Sequence, residues 1–141
     1  MSEKEITIID EPEFLIFVRP TEQLMVVQAK GVVPSRIYRK GLSAAIETAI
    51  EMQLKFWLVN NKAGGIISTE DQIWATEITV PRLASASRLK KMAFIVPDDV
   101  LSKLILENLM DLSRPIYPFE MQFFDRLEDA YRWFRDTEKT L

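Results

Sequence analysis

Apolar residues in this chain recur at two spacings, and each change of spacing marks an element boundary. Glu13 to Arg19 is a strand-like apolar run stopped by Pro20, and Leu24 to Lys30 follows after only Thr21-Glu22-Gln23. A connection that short predicts a hairpin, so these two strands are expected to be antiparallel. Ile6–Ile9 supplies a further edge strand ahead of them, broken by Pro12. After Gly31 the period lengthens: Ile37, Leu42, Ala45, Ile46, Ala49 and Ile50 fall near helical spacing, predicting a helix from Pro34 or Ser35 to about Gln53. Pro34 suits a first turn, where its missing N–H is not needed. Gly41 costs that helix about 1 kcal/mol relative to alanine, which predicts a close approach to the sheet as its compensation.

Phe56–Asn60 is the next strand, and a right-handed βαβ unit is expected there. The following helix begins near Thr69, with Thr69 as cap and Gln72 at capping-box spacing. Pro81 should interrupt it, leaving pieces at Thr69–Thr79 and Pro81–Ala86. Lys91–Val96 is an apolar run of the buried parallel type. Pro97-Asp98-Asp99 opens a helix to about Asp111, and Tyr117–Phe124 is the fifth main strand. Asp125 as cap and Glu128 open the last helix, striped by Leu127, Ala130, Tyr131 and Phe134. This order predicts an α/β fold: a mostly parallel five-stranded sheet, an antiparallel N-terminal strand, and four or five helices. At 141 residues one domain is expected over 1–141, its main fold covering about 13–136.

Several segments resemble the SpoIIAA-like/STAS domain family, and more narrowly the bacterial STAS/SEC14-type proteins. They are Phe56-Trp57-Leu58-Val59-Asn60-Asn61, then Ile67-Ser68-Thr69-Glu70-Asp71-Gln72-Ile73-Trp74, the Val80-Pro81-Arg82 break, Met92-Ala93-Phe94-Ile95-Val96-Pro97, and Phe123-Phe124-Asp125-Arg126-Leu127-Glu128-Asp129-Ala130. The resemblance spans about Phe14 to Phe134. It implies helices packed mainly on one side of the sheet, and protein interaction or sensing in place of catalysis. In antagonist proteins of this type, a serine in an Asp-Ser-Ser-Gly segment after the third strand is phosphorylated to break a partner contact. The corresponding loop here, Asn60 to Thr69, has no such segment, and Ser68 and Thr69 are its only hydroxyls.

Composition narrows the chemistry further. Hydrophobic residues make up 48% and charged residues 28%, as in an ordinary globular domain. A net charge of −3 argues against a nucleic-acid partner. No run approaches the roughly 20 apolar residues of a membrane span. Met1–Glu5 is polar and acidic, and cysteine is absent, so a cytoplasmic location is expected.

The absence of both histidine and cysteine removes Ser-His-Asp and Cys-His catalysis, together with imidazole and thiolate metal sites. Glu70/Asp71, Asp98/Asp99 and Asp125/Glu128/Asp129 sit where helix N-termini favour acids, so they read as caps first. Gly64-Gly65 lacks the spacing of phosphate-binding loops, and the acids after it oppose a phosphate. No catalytic residue, metal or cofactor is therefore expected. The candidate surface is regulatory or interactive: Asn60, Asn61, Ser68, Thr69, Trp74 and Arg82. Trp57 reads as sheet core. Trp74 reads as core first; partly exposed beside Ile66, Ile67 and Val80, with Ile73 and Ile78 filling the buried face of that helix, it would instead make an apolar patch for a protein partner or a second copy. Arg82, Arg88, Lys90 and Lys91 form a local basic cluster that reads first as a solvated face leading into a strand, with an anionic ligand or lipid headgroup as the functional alternative. The alternatives are an apolar-ligand or lipid sensor with a pocket between sheet and kinked helix and, third, a carboxylate-based enzyme.

Overall fold

Six strands form one sheet in chain order: β1 (Ile6–Glu11), β2 (Phe14–Arg19), β3 (Leu24–Ala29), β4 (Phe56–Asn60), β5 (Lys91–Ile95) and β6 (Glu120–Phe124). The computed structural model describes residues 4–63, 68–96 and 117–139, with six further positions between 101 and 115. β1, β2 and β3 pair antiparallel, and β3 through β6 pair parallel. The edge strand before Pro12 is thus a full sixth member of an otherwise five-stranded α/β sheet. Its pairing slips between Thr7 and Ile9, and Asp10, Glu11 and Pro12 follow. Bulge, acids and proline together discourage further strand addition at that edge.

Burial follows the alternation of the pleat. In β2, Phe14, Ile16 and Val18 are buried while Leu15, Phe17 and Arg19 are half-buried. β3 is buried at five of its six positions because helices cover both faces of the central sheet. One face carries Phe14, Ile16, Val18, Met25, Val27, Trp57 and Met92 beneath α1 (Ser35–Glu51) and α3 (Val80–Ala86). The opposite face carries Leu24, Val26, Phe56, Leu58, Ala93 and Ile95 beneath Ala130 and Phe134 of α4 (Leu127–Lys139). Trp57 is 2% exposed at the centre of the first face.

Helix α1 lies close on the hairpin because of Gly41. A Cβ there would stand 2.9 Å from Phe14 Cε2 and 3.2 Å from both Ile16 Cδ1 and Ile9 Cγ2. Gly41→Ala is therefore expected to destabilise by about 1 kcal/mol, overpacking outweighing the gain in helix propensity. A urea midpoint at or above the parent's would contradict this.

The C-terminus of α1 is closed by Leu54 N–H to Ala49 O (3.0 Å) and Gln53 N–H to Ile50 O (3.2 Å), with Gln53 at φ 55°. That bonding pattern normally places glycine at the left-handed position. Gln53→Gly should stabilise by about 0.5–1 kcal/mol, read as a higher urea midpoint at unchanged slope.

Three expectations about the helices change. The helix after β4 is not interrupted at Pro81. α2 (Thr69–Trp74) passes through a π-helical turn, Ala75–Thr79, directly into α3. The wider turn puts Pro81 in the first turn of α3, where no N–H is required. Secondly, Ser68 and not Thr69 caps α2, because its Oγ accepts the Asp71 N–H at 3.1 Å. Thirdly, α4 begins at Leu127, and Arg126 O accepts the first N–H, from Ala130 at 3.4 Å. Asp125 therefore stands one residue outside the cap. β6 is also shorter than the alternation implied. Pro118 cannot donate to a ladder, and pairing begins with Glu120 N–H to Lys90 O at 3.1 Å. Asp98 and Asp99 lie outside the described residues. Leu101, Leu104, Glu107, Asn108 and Asp111 are helical. No helix among the described residues is long and apolar enough to cross a membrane.

Candidate functional site

Strand β4 delivers the chain to the carboxyl edge of the parallel strands, where open α/β sheets commonly place their sites. Asn60 Oδ1 accepts the Lys62 N–H at 3.1 Å and tightens the turn out of the strand. Asn61 N–H continues the ladder to Ile95 O at 3.2 Å, and the residue is 7% exposed. Both asparagines thus shape the exit from β4. Residues 64–67, including the two glycines and the isoleucines assigned to an apolar patch, lie outside the described residues.

The chemistry of the corner converges on Asp71. Its carboxylate, on a residue only 2% exposed, accepts Ser35 Oγ at 2.7 Å and Arg39 Nε at 2.9 Å, both from α1. Burial pushes this carboxyl up. The hydrogen bonds from Ser35, Arg39 and Ser68, with the Arg39 charge, outweigh that and hold it below the usual aspartate range. Asp71 was expected to be a helix-start acid in the role of a cap. It is instead a buried clasp joining the first turns of α1 and α2.

Aromatic packing extends the clasp. Trp74 meets the Tyr38 ring edge-on with centroids 6.2 Å apart, and the Arg39 guanidinium lies 5.4 Å from the Trp74 ring centre. Tyr38 packs on Phe14 at 5.8 Å. Burial, and then the Asp71 charge, raise its hydroxyl above the ordinary tyrosine range, so it stays neutral. The hydroxyl of Thr79 turns back to Ala75 O within the π turn. Tyr117 is likewise raised by burial, against a hydrogen bond with Thr79 that lowers it.

The helix running from this corner turns a different face inward from the one expected. Asp71, Ala75, Thr79 and Leu83 are buried, at every fourth residue. Ile73 and Ile78, assigned to the core, are 52% and 55% exposed. Trp74 is half-buried against the core cluster. Ile73 stands about 200° round the helix from buried Asp71, and Ile78 lies inside the π turn, whose extra residue rotates it relative to a 3.6-residue projection.

Of the six candidate residues, Ser68, Thr69 and Trp74 belong to this corner, with Thr69 exposed at the start of α2. Arg82 does not. It lies on α3 and grips Glu47 of α1 through two hydrogen bonds of 2.9 and 2.8 Å. The basic cluster containing it is also divided. Lys91 is 8% exposed on the opposite side of the sheet, donating to Trp133 O at 2.9 Å with Nζ 4.6 Å from the Trp133 ring centre. Alternation sends consecutive strand residues to opposite faces, so four nearby cations need not share a surface.

Two of the other carboxylate candidates are engaged separately. Glu128 pairs with Arg126 at 3.3 Å and Asp129 with Arg132 at 3.4 Å. Among the described residues no three acids converge on a common point. A hollow of about 280 Å³ lies at the opposite, amino edge of the sheet, between the Pro20–Glu22 turn and α4, lined in part by Leu24, Phe56, Phe134 and Arg135. Ser35, Tyr38 and Arg39 did not emerge as site residues from the sequence, although an Asp-x₃-Ala-x₃-Thr-x₃-Leu stripe was there to be read. Comparison with known proteins found no matching family model, no matching curated protein and no matching solved structure.

Proposed function

We propose that the chain is a non-enzymatic interaction module of the SpoIIAA-like/STAS type, with the outer face of α2 and the π turn as its contact surface. The observation that carries this is the pair Ile73 and Ile78, more than half exposed on a helix whose anchoring is complete without them. Large aliphatics held on an outer face lose hydration free energy unless something covers them. The chemistry of the corner supports the same reading. Asp71 spends its acceptor capacity on Ser35 and Arg39, which holds a helix in place and leaves no poised base.

The test is capture from the source cell. The double variant Ile73→Glu/Ile78→Glu should fold like the parent, since both side chains already face solvent, and should bind a captured partner at least tenfold more weakly. A double variant that holds every partner as the parent does would refute the proposal.

A second reading, a sensor of small amphiphiles, draws on the hollow beside α4, where Leu24, Phe56 and Phe134 give an apolar floor and Glu22 and Arg135 a rim of both charges for a polar head on a short apolar body. Native mass spectrometry of the natively purified protein separates the two, because a bound small molecule adds a discrete mass.

A further inference from the structure

The two edges of the sheet are built differently. β1 closes one edge with a slipped register followed by Asp10, Glu11 and Pro12. β6 forms the other edge and carries none of these devices. It pairs with β5 in unbroken register, and no strand among the described residues lies beyond it. Glu120 N–H donates to Lys90 O at 3.1 Å, and Phe124 O accepts the Val96 N–H at 3.0 Å. Backbone groups alternate along a strand, so Glu120, Gln122 and Phe124 direct theirs to β5. Met121 and Phe123 therefore turn N–H and C=O outward, as a template for another strand. Their side chains continue the Trp57 face through Met92 and Phe94 in register, with the Phe123 and Phe94 rings 5.7 Å apart. Both nevertheless stay half-buried, because the layer stops there.

We propose that β6 pairs antiparallel with β6 of a second copy of this chain, about a two-fold axis at Gln122, joining both sheets into one. This is independent of the contact surface on α2. The strand is complementary to its own reverse. With the axis at Gln122, Met121 faces Phe123 of the partner subunit, Glu120 faces Phe124 of the partner subunit, and the two Gln122 side chains meet. Met121 and Phe123 of the partner subunit then exchange both backbone hydrogen bonds, and symmetry repeats the exchange, so every outward group of the strand is satisfied. Moving the axis to Met121 or Phe123 leaves strand ends unpaired. Sulfur packs well on an aromatic ring, and facing amides can hydrogen-bond each other. No like charges stand opposite one another, and the net charge of −3 on each copy is screened beyond about 8 Å at physiological salt. A strand of an unrelated protein would have to match this pattern independently, whereas a second copy matches it by symmetry.

The chain contains no cysteine, so a single introduced thiol reports the register. Gln122→Cys should cross-link to a disulfide dimer under mild oxidation, since facing residues of a pair without hydrogen bonds stand ~4.5 Å apart, within disulfide reach. Glu120→Cys, which faces Phe124 of the partner subunit, should cross-link at least tenfold more slowly. Sedimentation velocity of the parent chain should show a reversible, concentration-dependent dimer. Gln122→Lys and Gln122→Glu each set like charges across the axis and should weaken the dimer at least tenfold. An equimolar mixture of the two should restore association to within a few-fold of the parent. Gln122 is exposed, so both variants should keep the parent's urea midpoint. Ile73→Glu/Ile78→Glu should leave the dimer unchanged.

A parent chain that stays monomeric into the millimolar range overturns the proposal and leaves the α2 reading untouched. A dimer that ignores Gln122→Lys places the contact elsewhere and also overturns it. Equal cross-linking at positions 120 and 122 overturns the two-fold register, because collision alone would then account for both. A dimer lost with Ile73→Glu/Ile78→Glu moves self-association to α2, against the pairing of β6.

Discussion

Trp57→Ala should cost about 3–5 kcal/mol, the largest loss expected from any single substitution discussed for this protein. Trp57 sits mid-strand in β4, paired with Met25 on one side and Met92 on the other, and is 2% exposed beneath the α1–α3 layer. Truncation removes a buried indole and opens a cavity between a strand and two helices that cannot close on it independently. Each is fixed by other contacts: α1 by Gly41 against Phe14, α3 by Arg82 on Glu47. Domains of this size are stable by roughly 5–15 kcal/mol, so the variant should retain a folded state with a sharply lower urea midpoint. Trp57→Phe should recover more than half of the loss by keeping most of the volume. A Trp57→Ala midpoint near the parent's would mean that the layer above β4 repacks freely.

The same strand shows why architecture was legible in the chain and the site only partly so. Short apolar runs bounded by turn residues mark strands whether one face or both are buried, so β2 to β5 could be placed from Phe14, Leu24, Phe56 and Lys91 onward. Gly41 announced its close approach because a mid-helix glycine has a cost that needs a reason. The helix after β4 gave a misleading signal. Ile73 and Ile78 are the large aliphatics of that helix and drew the assignment to the core, whereas the side that packs inward is the stripe Asp71, Ala75, Thr79 and Leu83, with the π turn at Ala75–Thr79 between them. An aspartate at the start of a helix is so well explained by the dipole that its partners on another helix go unsought. Ser35 and Arg39 lie 36 and 32 residues away from it, a separation that only the folded βαβ unit closes.

Asp71→Asn should destabilise by about 2 kcal/mol at neutral pH, because hydrogen bonds to a charged acceptor contribute roughly 1.5–3 kcal/mol each and Arg39 can partly rehydrate. The Arg39 side chain is 40% exposed while that of Asp71 is 3% exposed, so most of the cost falls on the carboxylate side of the clasp. The effect should depend on pH in a defined direction. The folded state holds Asp71 below the ordinary aspartate range, so the unfolded chain takes up the proton more readily. The stability contributed by the clasp is then complete above the unfolded value of about 3.9 and is lost as pH falls through the folded one. Parent and variant should differ by the full amount at pH 7, and the gap should shrink once the carboxyl is protonated, measured by urea unfolding at pH 7 and near pH 2–3. A gap unchanged at low pH would assign the loss to shape and not to charge. Because the clasp fixes the start of α2, Asp71→Asn should also loosen Ile73 and Ile78 and weaken partner binding before the domain unfolds. Ser35→Ala, which removes one neutral donor and leaves the Arg39 pair, should do so less. Equal effects of the two on binding would mean that the orientation of α2 is set elsewhere, by the Arg82–Glu47 grip on α3.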